Sequence, residues 1–213
     1  LREDVYFHSS PLFGSNKTRK GVAADFVYSF DRLRNKKIAS PGSWVMQQVN
    51  NYEAKEKYVL TIRLKNPFPA FLGLLTMRYC AVVPMEITSH YGEDFRSNPI
   101  GTGPFYFKQW DENVKLVLRK NPKYFELDEQ GQRLPYLDAV AIEFIPDIQS
   151  EFMLFLQGKF DFINSLDSSY KDELLTPKGK IQTKYRDQLN MLKGPYLNTE
   201  YIGIYLENEN PAI

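Results

Sequence analysis

The chain has 213 residues, 43% of them hydrophobic, 15% aromatic and 25% charged, enough for one large globular domain or two small ones. With 27 Lys and Arg against 26 Asp and Glu, the net charge of +1 gives no bias toward nucleic acid or an anionic membrane surface. The apolar runs fall far short of the roughly 20 residues that span a bilayer, and the single cysteine, Cys80, excludes an internal disulfide and a multi-cysteine metal site.

The opening "LREDVYFH" sets Val5 and Phe7 against Asp4, Tyr6 and His8, the alternation of a half-buried strand. It starts on Leu1 with no recognisable signal peptide, and the chain stops on "ENENPAI"; the expectation is a piece of a longer protein. Turn-rich "SSPLFGSNKTRKG" follows. In "VAADFVYSFDRLRNKK", Val22, Phe26, Phe30 and Leu33 recur at helical spacing, and the basic residues at the end suit the helix dipole. Asp25, three residues after Val22, is placed to bond back to the first amide of that helix, whereas Val22 has no side-chain oxygen with which to cap. "SPGSWVMQQV" is a turn leading into apolar sequence. "KYVLTIRLK" alternates Tyr58, Leu60, Ile62 and Leu64 with Thr61, Arg63 and Lys65, which is a strand, and Pro67 and Pro69 end it. "AFLGLLTM" reads as a short buried helix and "MEITSHYGEDF" as another around a turn.

"NPIGTGPFYFKQW" (98–110) raises a phosphate-loop question, but Tyr106 stands where a dinucleotide fingerprint needs its third glycine, and a strand follows instead of a helix. Gly101 and Gly103 allow a sharp turn, with backbone angles that alanine would not adopt expected at one or the other, and Pro104 fixes the exit. "PFYFKQW" and "VKLVLRK" form a hairpin about Asp111–Asn113. "AVAIEFIP" adds a strand with Val140, Ile142 and Phe144 on one face. A helix in "SEFMLFLQGK" stops at Gly158, and a short strand at 160–163 follows, an order that implies parallel pairing in a mixed sheet. A polar helix near 167–175 and strand-like stretches near 181–186 and 200–206 complete the reading. The fold class is therefore α/β in the broad sense, a mixed α+β chain.

Catalysis finds little support. His8 and His90 are the two histidines, neither near a nucleophile elbow, and each reads as solvated or capping. No spacing of His8, His90 and Cys80 suggests a metal site, so no catalytic residue, metal or cofactor is expected. Most of the 31 aromatics (14 Tyr, 15 Phe and 2 Trp) sit at core-like positions. Trp44 after a Pro-Gly-Ser turn and Tyr79 between two apolar segments are candidates for flat ligand contacts, while Trp110 suits the hairpin's own face.

"LREDVYFH", "AADFVYSFDRL", "NPIGTGPFYFKQW", "VKLVLRKNPKYF" and "LQGKFDFI" occur in the order and spacing of the family-5 extracellular solute-binding proteins, which the chain resembles over nearly its whole length. Two departures are "SSPLF" in place of a polar Asp-Gly turn, and Val22 in place of a capping Thr that is worth about 0.5–2 kcal/mol. The resemblance implies a periplasmic-binding-protein-like class II fragment with a mixed sheet and flanking helices. In it, 1–97 would be the small additional domain and 98–213 part of lobe I, with the second lobe outside this chain. It implies capture of a peptide or similar small solute and its delivery to the transmembrane permease subunits of an ABC importer. The location would be periplasmic or extracytoplasmic, with membrane association only through the permease or a lipid anchor. Trp44, Tyr79 and Thr102 are the expected cleft-facing residues. Two rival readings are a hydrolase whose catalytic residues converge from distant segments and a signalling or chaperone receptor reusing the fold.

Overall fold

The computed structural model describes residues 1–164, 166–195 and 198–204, and in it the amphipathic run after Gly21 forms helix α1 (Ala23–Arg34). Phe30 and Leu33 point inward, while Asp31 and Arg34 face water. The Asp25 carboxylate accepts from the Val22 amide at 2.9 Å, the reverse cap that the spacing predicts.

The core beneath α1 is supplied by a hairpin and the turns around it. Strand β1 (Val49–Glu56) pairs antiparallel with β2 (Val59–Leu64), and Leu60, Ile62 and Leu64 of β2 turn their apolar face to the core, as predicted. Val45, Met46 and Val49 descend from the 3-10 turn Ser43–Gln48 into that core, where Phe30, Leu33 and Phe71 meet them. Each such buried side chain contributes about 1.5–3 kcal/mol. Helix α2 (Phe71–Leu75) buries Phe71 but leaves Leu72 75% exposed, so it lies at the surface rather than being the buried helix expected. Helix α3 (Met85–Tyr91) buries Ile87 and Thr88 and ends at Gly92, whose φ of 54° turns the chain into the 3-10 segment Gly92–Ser97.

The predicted hairpin at 105–120 is present. Strand β3 (Phe105–Asp111) pairs antiparallel with β4 (Lys115–Lys120), which pairs antiparallel with β5 (Ala139–Glu143). A register shift between Phe107 and Gln109 puts Trp110 opposite Leu116, and Phe107 opposite Leu118. Val140 and Ile142 continue these rows across β5.

The N-terminal stretch departs from expectation. It pairs through a single bridge, Tyr6 with Lys20, flanked by Phe7 N–H to the Arg19 carbonyl at 2.9 Å and Gly21 N–H to the Val5 carbonyl at 3.0 Å. By alternation the His8 amide points to the other side, where it bonds the Gly101 carbonyl at 2.7 Å, while the Ser10 amide reaches back to the Lys17 carbonyl at 2.7 Å.

Contacts divide the chain into two compact units, Leu1–Ile145 and Pro146–Ile213. In the second, helix α4 (Ile148–Leu156) starts at Asp147, whose carboxylate accepts from the Ser150 amide at 2.7 Å, and is stopped at Gly158 with φ 70°, as predicted. The predicted polar helix is a 3-10 turn at Ser168–Tyr170 running into α5 (Lys171–Leu174), with Tyr170 stacked on Phe152. The strand expected at 160–163 does not form, and every strand pairing among the described residues is antiparallel. A strand needs a ladder partner, and no described residue offers one to 160–163. At 181–186 a local 3-10 turn (Thr183–Tyr185) wins over a ladder, leaving only an Ile181–Leu175 bridge. Residues 200–204 hold no strand, and 205–206 lie outside the described residues.

Candidate functional site

The corner after Asn98 is built from backbone groups that side chains elsewhere in the chain hold in place. The Gly101 amide donates to His8 Nδ1 at 3.3 Å, and His8 Nε2 lies 3.0 Å from the Gly103 carbonyl. Because an amide can only donate, Nδ1 is the acceptor and Nε2 carries the hydrogen it gives to Gly103. Asn121, only 4% exposed, donates its side-chain N–H to the same carbonyl at 2.9 Å, and its own amide donates to Pro104 at 2.8 Å. His8 is 8% exposed, so of the solvated or capping roles expected from sequence it takes neither water nor a helix end but clamps this corner's backbone; burial lowers its pKa from the ordinary value, partly offset by the Gly103 carbonyl. Neither Gly101 nor Gly103 takes positive φ, against expectation, and a Cβ on Gly101 would meet His8 Cε1 at an ordinary 3.9 Å. The corner is shaped by His8 and Asn121, not by left-handed glycine. Thr102 lies half-buried within it, among these backbone bonds.

Trp44 and Tyr79 belong to a second cluster, around Gly42. Trp44 rides the outer side of the Ser43–Gln48 turn, 43% exposed, while its neighbours Val45 and Met46 are buried. Tyr79, in the turn Arg78–Cys80, presses on Gly42 so closely that a Cβ there would lie 2.2 Å from the Tyr79 Cβ. That contact explains the glycine in "SPGSW". Tyr79 also lines a pocket of about 210 Å³ with Arg32, Ile38, Ser40 and Phe95. The structure thus brings Trp44 and Tyr79 to one loop cluster and Thr102 to the other.

Sequence reading missed a third feature. Arg19 is held by two carboxylates: Nη2 and Nη1 reach Asp25 at 2.7 and 2.9 Å, and Nε and Nη2 reach Glu86 at 2.7 Å each. Its guanidinium lies 5.0 Å from the Phe7 ring centroid and 5.4 Å from that of Phe13. Asp25 is 6% exposed at the side chain, and the hydrogen bond from Arg19 holds the Glu86 carboxyl below its ordinary pKa. Arg19 is itself driven upward, chiefly by its bond to Asp25. Sequence gave no signal for the 67-residue separation between Arg19 and Glu86.

These side chains bond backbone and one another. Both ring nitrogens of His8 face backbone. Burial raises the Cys80 thiol, whose sulfur rests 3.5 Å from the Leu74 carbonyl, so it stays protonated near neutrality. No cluster of three or more His, Cys, Asp or Glu suited to a metal occurs among the described residues.

Antiparallel strands and flanking helices, aromatic turns and a side-chain-clamped corner define part of a periplasmic-binding-protein-like fold. The chain is similar, with TM-score 0.70 and 24% identity over 82% of its length, to the DppA periplasmic binding protein of Helicobacter pylori, solved with the peptide STSA, of which it covers 36%. It is similar at TM-score 0.67 and 25% identity, again over 82%, to the binding protein MoaA from A. tumefaciens R10, solved with mannopinic acid, of which it covers 33%. The chain belongs to the bacterial extracellular solute-binding proteins, family 5, whose model (family 5 Middle) matches residues 1–211. Among curated relatives, the glutathione-binding protein GsiB of Salmonella typhimurium is 24% identical over all of this chain, which spans 38% of that protein. The oligopeptide-binding protein AppA of Bacillus subtilis is 28% identical over 80% of the chain, covering 30% of AppA. The chain thus spans about a third of the length of the relatives it matches.

Proposed function

We propose that this chain is part of the substrate-binding component of an ABC importer, capturing a peptide or similar small solute between two lobes and delivering it to a membrane permease. The observation that carries the reading is the family match over residues 1–211, joined by relatives named for binding glutathione, di- and tripeptides, and oligopeptides. In this reading 1–97 is the small additional domain, 98–213 is part of lobe I, and the opposing lobe lies outside the chain. Trp44, Tyr79 and Thr102 then face the cleft, where aromatic turns suit a tolerant, partly wet pocket. Closure of two walls on the ligand by hinge motion would present the loaded form to the permease. The protein works outside the cytoplasmic membrane, free or lipid-anchored; no described helix is long and apolar enough to cross a membrane. The relatives being binding proteins, capture rather than turnover is the activity to measure.

The test is calorimetric titration of the full-length protein with glutathione and with di-, tri- and oligopeptide pools. Saturable binding in the micromolar range, about −8 kcal/mol, is expected for at least one of them. Failure with every pool, or hydrolysis of a peptide by the protein, would overturn the reading.

A further inference from the structure

We propose that His8 is a proton-sensitive latch, holding residues 5–10 to the 98–104 corner while its ring is neutral and releasing them when the ring is protonated.

Three bonds join His8 to the corner across 93 and 95 residues of sequence: its amide to the Gly101 carbonyl, the Gly101 amide to Nδ1, and Nε2 to the Gly103 carbonyl. The first is made by backbone; the neutral ring satisfies the other two, one nitrogen accepting and the other donating, with no spare valence. Adding a proton at Nδ1 sets one N–H against another, the Gly101 amide, and removes the acceptor that amide requires.

The surroundings offer the cation little compensation. The corner residues Gly101–Pro104 carry no charge. From β3, Tyr106 meets the imidazole edge-on at 6.2 Å between centroids. From β4 and the residues after it, Arg119, Lys120 and Lys123 line the pocket over His8, about 640 Å³ in volume, and Asp138 is the one carboxylate in that lining. None of these four charged side chains is in an ion pair among the described residues. On its own segment the neighbouring polar group is the Ser9 hydroxyl, and from the facing stretch the Thr18 hydroxyl donates to the Phe7 carbonyl at 2.6 Å. A protonated His8 would therefore join three cations against one exposed acid.

The direction of the pH effect follows. Burial holds the folded-state value below the ordinary one, so the unfolded chain binds the proton first. The latch contributes fully above the ordinary histidine value of about 6.5, and its contribution is lost as pH falls from there through the lower folded value. This device is independent of which solute the protein binds.

Hydrogen-exchange mass spectrometry on the full chain, corrected for the intrinsic pH dependence of exchange, tests it. Peptides covering 5–10 and 98–104 are compared at about pH 7.5 and about pH 5.5, either side of the ordinary histidine value. Protection of the Gly101 amide should fall several-fold in the wild type. It should stay flat in His8→Asn, which keeps an acceptor near the Nδ1 position but cannot titrate. Equal protection at both pH values in the wild type, or the same fall in His8→Asn, overturns the latch. Should the variant not fold, nitrogen-15 spectra of wild-type His8 decide. The Nε2–H tautomer titrating below the ordinary value supports the latch, and the Nδ1–H tautomer or a titration above that value overturns it.

Discussion

Replacing Arg19 with Met keeps an unbranched apolar side chain and removes the guanidinium, with its carboxylate bonds and its place over the Phe7 and Phe13 rings. The cost is set by what stays behind. Asp25, 6% exposed at the side chain, would retain one donor, the Val22 amide at 2.9 Å, and lose both bonds to Arg19. Stripping the partner from a buried charge costs about 3–5 kcal/mol. Glu86 is 39% exposed, so solvent screens its half of the network, and Glu86→Gln should cost only about 0.5–1 kcal/mol. The expected ratio between the two substitutions is several-fold, although each removes a partner 2.7 Å away. Urea unfolding followed by tryptophan fluorescence measures this directly, because both tryptophans, Trp44 and Trp110, lie in the Leu1–Ile145 unit with the network. Since Arg19 depresses the Glu86 pKa, the wild type should also lose stability as pH falls below the ordinary carboxylate value of about 4.3 and through the lower folded one. Arg19→Met should weaken that acid sensitivity. Equal costs for Arg19→Met and Glu86→Gln, both under about 1 kcal/mol, would refute the argument that burial of Asp25 decides the energy.

Gly42→Ala should destabilise by about 1–3 kcal/mol, since its Cβ would stand 2.2 Å from that of Tyr79, and thermal melting will show it. Gly101→Ala should fall within about 0.5 kcal/mol of wild type, whereas Gly158→Val at φ 70° should cost at least about 1 kcal/mol; the same melts separate them. Cys80 should react slowly with a thiol reagent until denaturant opens the core, and Cys80→Ser should leave any metal content unchanged by elemental analysis. In the full-length protein, Trp44→Ala or Tyr79→Ala should weaken peptide binding by about 2- to 10-fold in calorimetry, the worth of one aromatic contact, and an unchanged affinity would remove that residue from the cleft.

How far sequence reveals this fold depends on whether the pattern is local. The stripe of Phe30 and Leu33 and the alternation through Leu116 and Leu118 state their elements outright, because each buries an apolar face at a fixed period. Strand β1, "VNNYEAKE", escapes notice because Val49 alone is buried, with the adjacent Tyr52 and Glu53 half-buried and no alternation; its place is fixed by pairing with β2 instead of by its own pattern. The candidate site is less legible. Trp44 and Tyr79 are drawn together by the Gly42 contact, which spans turns far apart in sequence, and Thr102 by a corner whose shape resides in His8 and Asn121. Alternation places His8 opposite Phe7 and so toward solvent; both are buried, since the Gly101–Gly103 corner, distant in sequence, covers the side that His8 faces.

The His8–Gly101 bond at 2.7 Å also bears on how the chain tolerates change. The backbone that departs after residue 8 returns within one hydrogen bond of its starting point. The Tyr6–Lys20 bridge and the Arg96–Glu112 ion pair tie the residues between to the rest as well, so the interval is pinned at both ends. Lengthening, trimming or exchanging a surface loop in that interval costs little closure entropy and need not shift β3 or β4. A chain pinned in this way can vary its surface loops while its sheet stays in register.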